Sequence, residues 1–260
     1  MSSLAAQVAA VLRAAGCVFA EDEAVLLTAE ASSAAELDGL VERRVHGEPL
    51  EYILGWALFC GSRIVLAPGV FVPRRRTEFM VELAVGLVGC PAAVPVVVDL
   101  CCGAGTIGAG VASRVPSVEL HLADIDPIAV ECARRNTLAF DGRAHTGDLW
   151  DALPPALRGR VDVVVANAPY VPTAEVELMP REAREYEARA ALDGGTDGLD
   201  LHRRIAAEAR SWLSPGGHVL IETSARQAPA TAGILAGRGL TPWVEHRADD
   251  DATVVVAVPA

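Results

Sequence analysis

The 260-residue chain contains no lysine: all 22 basic residues are arginine, set against 34 acidic ones, for a formal charge of -12. Nucleic-acid backbones are gripped chiefly by basic side chains, so this balance repels a phosphate chain at long range and leaves room only for a local basic site. Direct nucleic-acid binding is not expected. No uninterrupted apolar run approaches the roughly 18 to 20 residues of a membrane helix, and the opening Met-Ser-Ser-Leu-Ala-Ala-Gln has no basic stretch before an apolar one. The expectation is a cytoplasmic protein without a membrane partner. The six cysteines, at 17, 60, 90, 101, 102 and 132, form no C-x-x-C pair. Buried reduced thiols are therefore expected, with no disulfide framework and no metal site. Internal repeats and low-complexity linkers are lacking as well.

What is present suits a large core: 52% of residues are hydrophobic, enough for one large domain and a small one. Residues 1–50 read as a helical domain of three short helices. Leu4, Val8, Val11 and Leu12 repeat at helical spacing before Gly16, Asp22 caps Val25, Leu26 and Ala29, and Ser33 with Glu36 forms a capping-box pattern ahead of Leu37, Leu40 and Val41. Residues 51–68 hold a β-hairpin, two β-prone runs (56–60 and 63–66) around a Gly61-Ser62 loop. Over 69–260, short apolar strands alternate with helical patterns, the signature of a parallel sheet covered by helices. Strands are placed at 96–100, 119–124, 143–146, 161–166, 218–222, 241–246 and 253–258. The short 247–252 connection makes the last two antiparallel.

After the first of these strands comes Asp99-Leu-Cys-Cys-Gly103-Ala-Gly105-Thr-Ile-Gly108. Glycines at a strand-to-helix turn let backbone approach a ligand, and the helix start behind them offers unpaired N–H groups. The literal G-x-G-x-x-G match, with Asp124 about 20 residues on, fits a nicotinamide dinucleotide. Two further features favour S-adenosylmethionine: Asp99 before the glycines, and Asp148 in Gly147-Asp-Leu-Trp150. Three acidic strand ends suit a neutral nucleoside carrying a cationic sulfonium better than a pyrophosphate. Asp126-Pro127 reads as a helix cap. Asn167-Ala168-Pro169-Tyr170 closes the apolar run 163–166, a stiff turn able to hold a planar NH2 group beside a cofactor.

These segments together resemble the protein-(glutamine-N5) methyltransferases that modify peptide-chain release factors, within the class I S-adenosylmethionine-dependent enzymes. The resemblance extends to Gly47-Glu-Pro-Leu-Glu-Tyr-Ile-Leu-Gly55, Phe71-Val-Pro-Arg74-Arg-Arg-Thr77-Glu78, residues 191–200, and Ser214-Pro-Gly-Gly217 with Glu222 and Gln227. It implies a doubly wound, seven-stranded Rossmann-like methyltransferase sheet with its last strand antiparallel, preceded by the helical domain and the hairpin. It implies S-adenosylmethionine contacts from Asp99, Cys101, Cys102, Gly103, Ala104, Gly105, Asp124, Ile125, Asp148, Leu149 and Asn167. A catalytic turn at Asn167, Ala168, Pro169 and Tyr170 follows, with Phe71, Arg74 and Thr77 at the entrance and a release factor as protein substrate.

Three departures stand out: Cys101 replaces a glycine of the cofactor loop, Arg75 the second proline of Pro-Arg-Pro, and Ala168 the first proline of Asn-Pro-Pro-Tyr. Alanine retains the carbonyl that accepts from the substrate amide and loses only the fixed φ, so a looser turn is expected. Three arginines at 74–76 read either as a solvated helix start or, because they oppose the helix dipole, as meeting an anionic partner, the docked substrate or the methionine carboxylate of the cofactor. His121, His145 and His218 read as structural. Alternative acceptors are an exocyclic amine of a nucleic-acid base and a small-molecule amide or amine, and a catalytically inactive cofactor-binding protein is a further alternative. A nicotinamide-dependent oxidoreductase is the alternative from another class.

Overall fold

Residues 3–88 and 93–260 are described by the computed structural model, so Cys90 lies outside the described residues. The chain begins with α1 (Ser3–Ala14), α2 (Ala20–Glu30) and α3 (Ala34–Val45). Their facing residues Val8, Leu12, Ala24, Leu27 and Leu37 form a core of their own, closed by Ile53. Ile53 belongs to a fourth helix, α4 (Leu50–Leu54), between Pro49 and a left-handed Gly55. Five residues carry no readable helical period, so the sequence did not signal it.

Two local expectations are corrected. Helix α2 starts at Ala20 with Phe19 at its cap, so Asp22 lies within the first turn, where its charge suits the helix dipole but caps nothing. Ser33 Oγ does accept from Glu36 N at 3.2 Å, while the Glu36 carboxylate reaches Ser32 N at 2.7 Å, shifting the reciprocal arm of the capping box by one residue.

In the hairpin, β1 (Trp56–Phe59) pairs with β2 (Ser62–Val65), and Phe59 faces Ser62. The two-residue loop is therefore Cys60-Gly61 in place of Gly61-Ser62. Both loop residues have positive φ, 52° and 77°, the geometry that matches strand twist in a tight hairpin. Burial of Phe59 and Ile64 selects this register, because a one-residue slip would expose them.

The main sheet comprises β3 (Val96–Leu100), β4 (Glu119–Asp124), β5 (Arg143–Thr146), β6 (Val161–Ala166), β7 (Leu213–Glu222), β8 (Leu240–Arg247) and β9 (Ala252–Pro259). Their spatial order is β5-β4-β3-β6-β7-β9-β8. Pairings from β5 to β7 are parallel, and β9 runs antiparallel to both β7 and β8. This is the doubly wound sheet expected, with β7 starting earlier than residue 218.

Side chains alternate between two buried layers, as strand geometry requires. Val97, Val163, Val165 and Leu220 pack with the hairpin, α5 (Glu78–Val88), α6 (Thr106–Ala112) and α7 (Pro127–Thr137). Val96, Val98, Val164 and Ile221 pack with α9 (Asp200–Trp212) and α10 (Ala228–Ala236). A short α8 (Arg181–Tyr186) precedes α9. Arg44 of α3 joins it to the helical segment, giving Nε to Glu23 at 2.6 Å and Nη1 to Glu182 at 2.5 Å.

Candidate active site

A cavity of ≈ 600 Å³ opens at the carboxyl ends of β3, β4 and β6, where ligands of open α/β sheets bind. One wall is the loop after β3. Cys101 and Gly103 have φ of 54° and 53°, so the cysteine occupies a left-handed position that suits glycine and costs an L residue roughly 1–2 kcal/mol. Gly105, φ 74°, caps α6 tightly against Ala133 and Leu122.

Asp124 holds that loop: its carboxylate accepts Gly103 N at 2.8 Å and Asp126 N at 3.0 Å while still lining the cavity. Burial pushes its carboxyl up. Asp126 caps α7 as expected, accepting Ile128 N at 2.8 Å. Asp99 lies beneath the loop, fully buried, and accepts Gly108 N at 2.8 Å through one oxygen while the other has no partner. Burial pushes its carboxyl up to about 7. Asp99 and Gly105 are not among the residues lining the cavity, and the other candidate residues all are: 71, 74, 77, 101–104, 124, 125, 148, 149 and 167–170.

Asp148 carries a partner the sequence did not signal, Arg204 of α9, whose guanidinium donates at 2.7 Å. Nothing in local pattern relates positions 56 residues apart, one on a strand-end loop and one on a helix.

On the opposite wall, the Asn167 side-chain nitrogen donates to Thr77 Oγ1 at 3.3 Å. Among the described residues its side-chain oxygen has no partner and is free to accept. Tyr170 receives Arg76 Nη2 at 2.9 Å, and Arg76 Nε lies 3.6 Å from the buried Glu222. Arg74 pairs with Glu187, itself buried, and lies over the Phe71 ring at 5.0 Å. Two of the three arginines thus meet anionic partners of the same chain, Arg76 while still partly exposed, and Arg75 is exposed.

The turn itself is clamped. Gly194 N donates to Val171 O at 2.8 Å and Val171 N to Leu192 O at 3.1 Å. A Cβ at Gly194 would meet Pro169 O at 2.6 Å, which shows how closely the two segments pack. Ala168, where a looser turn is expected, is 1% exposed and packed among these segments.

The sequence profile of the methyltransferase small domain matches residues 63–195. A release factor glutamine methyltransferase of Geobacter sulfurreducens is 40% identical over 203 residues, 77% of this chain and 69% of that protein. The chain belongs to the release factor glutamine methyltransferase family. Another relative, 37% identical over 76% of this chain and 69% of its own length, is the 4-amino-L-phenylalanine/4-methylamino-L-phenylalanine methyltransferase of Streptomyces pristinaespiralis. A solved methyltransferase from Pyrococcus furiosus shares the fold, with a TM-score of 0.55 at 16% identity, covering 76% of this chain and 88% of that one.

Proposed function

We propose that the protein methylates the side-chain amide nitrogen of a glutamine in a protein substrate, a peptide-chain release factor, using S-adenosylmethionine. The observation that carries this reading is the orientation of Asn167. Its nitrogen is taken by Thr77, so its side-chain oxygen, beside the Ala168 carbonyl, is the group left to receive a substrate N–H.

A primary amide is a weak nucleophile because its lone pair is delocalised into the carbonyl. Two acceptors that take both N–H groups turn the nitrogen's remaining electron density outward. Such positioning accounts for roughly 7–11 kcal/mol of a barrier when reacting atoms are well aligned. Pro169 stiffens the turn, and Tyr170 forms the aromatic wall against the flat amide.

The residues present fit the cofactor. Asp124 suits the ribose hydroxyls, Asp148 the adenine amino group, and the loop of Cys101, Cys102, Gly103 and Ala104, with Ile125 and Leu149, the body of the nucleoside. Asp99 and Gly105 serve by ordering that loop, and N–H groups at the start of α6 suit the methionine carboxylate. When bound, the cofactor supplies a methyl carbon activated by its cationic sulfur. Aspartates 124, 126, 148, 193 and 200 line the cavity, an environment that favours such a cation.

The relative acting on an aromatic amino acid makes a free amino acid the competing acceptor. Against it, the arginines lining the cavity, Arg74, Arg76 and Arg204, are all paired, to Glu187, Glu222 and Asp148. Among the described residues that line the cavity no unpaired guanidinium awaits a second carboxylate or a phosphate, which favours an uncharged side chain presented by a polypeptide. The helical segment 1–50 is then the docking module, followed by the 51–68 connector and the 69–260 catalytic domain.

Incubation with S-adenosylmethionine and candidate release factors, read by peptide mass spectrometry, tests this. Methylated glutamine is expected, lost in Asn167→Ala. Methylation of 4-aminophenylalanine but of no protein would overturn it.

A further inference from the structure

The carboxyl of Glu222 lies behind the amide-holding turn, away from the cavity. It ends β7 at 2% exposure, with Oε1 buried and lacking a hydrogen bond. Three polar side chains from two other segments converge on it: Arg76, whose Nε lies 3.6 Å away, and the hydroxyls of Thr77 and Tyr170. Arg76 and Thr77 share one short turn, at residues 75–77. Arg76 also donates to the Tyr170 hydroxyl, and Thr77 accepts from Asn167.

We propose that Glu222 is a positioning residue that sets which way the Asn167 amide faces, by fixing the polarity of the Thr77 hydroxyl. This rests on the role given to Asn167 above. A hydroxyl has one proton and two lone pairs. With its proton directed at a carboxylate, Thr77 can only accept from its other neighbour, so Asn167 meets it with nitrogen and turns oxygen to the cavity. Without that acceptor the hydroxyl is free to donate to Asn167. The side chain then flips and presents NH2 where the substrate also presents N–H groups. Burial pushes the Glu222 carboxyl up, and Arg76, between Glu222 and Tyr170, opposes that rise and ties the same anchor to the aromatic wall.

The arrangement is testable without any activity measurement. The chain has only two asparagines (136 and 167) and two glutamines (7 and 227), hence four side-chain NH2 signals in a nitrogen–proton correlation spectrum. The Asn167 pair is identified by its absence in Asn167→Asp. Glu222→Gln and Thr77→Val are expected to move that pair, and Thr77→Ser to leave it in place. With the protein substrate, Glu222→Gln and Thr77→Val should lower kcat by about tenfold to a hundredfold, the scale of a misplaced reacting group. Stabilisation by S-adenosylhomocysteine should persist in both. Serine at position 77 should recover most of what valine loses.

An unmoved Asn167 signal together with kcat within about twofold of wild type in Thr77→Val would overturn the proposal, and that variant decides even if Glu222→Gln fails to fold. Absence of amide methylation by the wild-type enzyme would strike the functional reading instead, leaving the spectra to judge the positioning.

Discussion

Gln227 Nε2 donates to Tyr170 O at 2.8 Å and to Asp197 O at 3.1 Å, tying the turn after β6 to the loop before α9. Gln227 is 7% exposed, so truncation leaves both carbonyls with little access to water. Gln227→Ala should cost roughly 1–3 kcal/mol, the penalty for unsatisfied buried polar groups. Chemical denaturation measures the loss, and kcat should fall with it because the turn proposed to hold the amide loses an anchor. Unchanged stability would mean that water replaces the side chain.

Gly198 lies under the same anchor with φ of 76°, and a Cβ there would collide with the Tyr170 carbonyl and the Gln227 side chain. Gly198→Ala combines left-handed strain, roughly 1–2 kcal/mol, with overpacking of about 1–3 kcal/mol. A lowered melting temperature and reduced methyl transfer are expected together. A wild-type melt with wild-type turnover would show that the loop relaxes freely.

Asp124→Asn should abolish the thermal stabilisation given by S-adenosylhomocysteine. An amide offers one acceptor oxygen where the carboxylate now serves Gly103 N and Asp126 N at once. Wild-type protein should be stabilised by S-adenosylhomocysteine and not by NAD. The reverse would restore the dinucleotide reading of the glycine loop.

His202 makes the fold acid-sensitive. It is 0% exposed, its Nδ1 contacts Thr231 Oγ1 at 2.9 Å, and its Nε2 has no partner. Burial pushes its pKa down to about 4, below the usual 6.5. The unfolded chain takes up the proton first as pH falls, so the stability His202 contributes is complete above 6.5. It is lost progressively between 6.5 and about 4, amounting to roughly 3 kcal/mol. Asp99 runs opposite: with its folded pKa raised to about 7 from 3.8, its contribution is complete below 3.8 and lost as pH rises through 7. Denaturation midpoints from pH 4 to 8 should flatten at the acid end in His202→Phe and at the neutral end in Asp99→Asn. Parallel profiles in wild type and variants would remove these groups as the cause.

The central strands β3 and β6 were legible because each is a short, largely apolar run bounded by turn residues. The site loops were legible because close backbone approach demands glycine, and a stiff turn demands proline, whatever surrounds them. Short or register-dependent elements were not. Helix α4 is too brief to show a period, and the hairpin loop moved to Cys60-Gly61 because burial of Phe59 and Ile64 fixed the pairing. The arginine run at 74–76 suggested an external anion, whereas Glu187 and Glu222 supply it from 113 and 146 residues further on.

Local chemistry in the sequence thus determined the order of strands and helices, the placing of acidic residues at strand ends, and the presence of an Asn-Ala-Pro-Tyr turn. The tertiary structure decided which arginines are neutralised, that Ala168 is buried against neighbouring loops, and which face of Asn167 looks into the cavity. Each of these depends on partners far apart in the chain. A hydrogen bond's direction is set by the groups that folding brings to both of its ends.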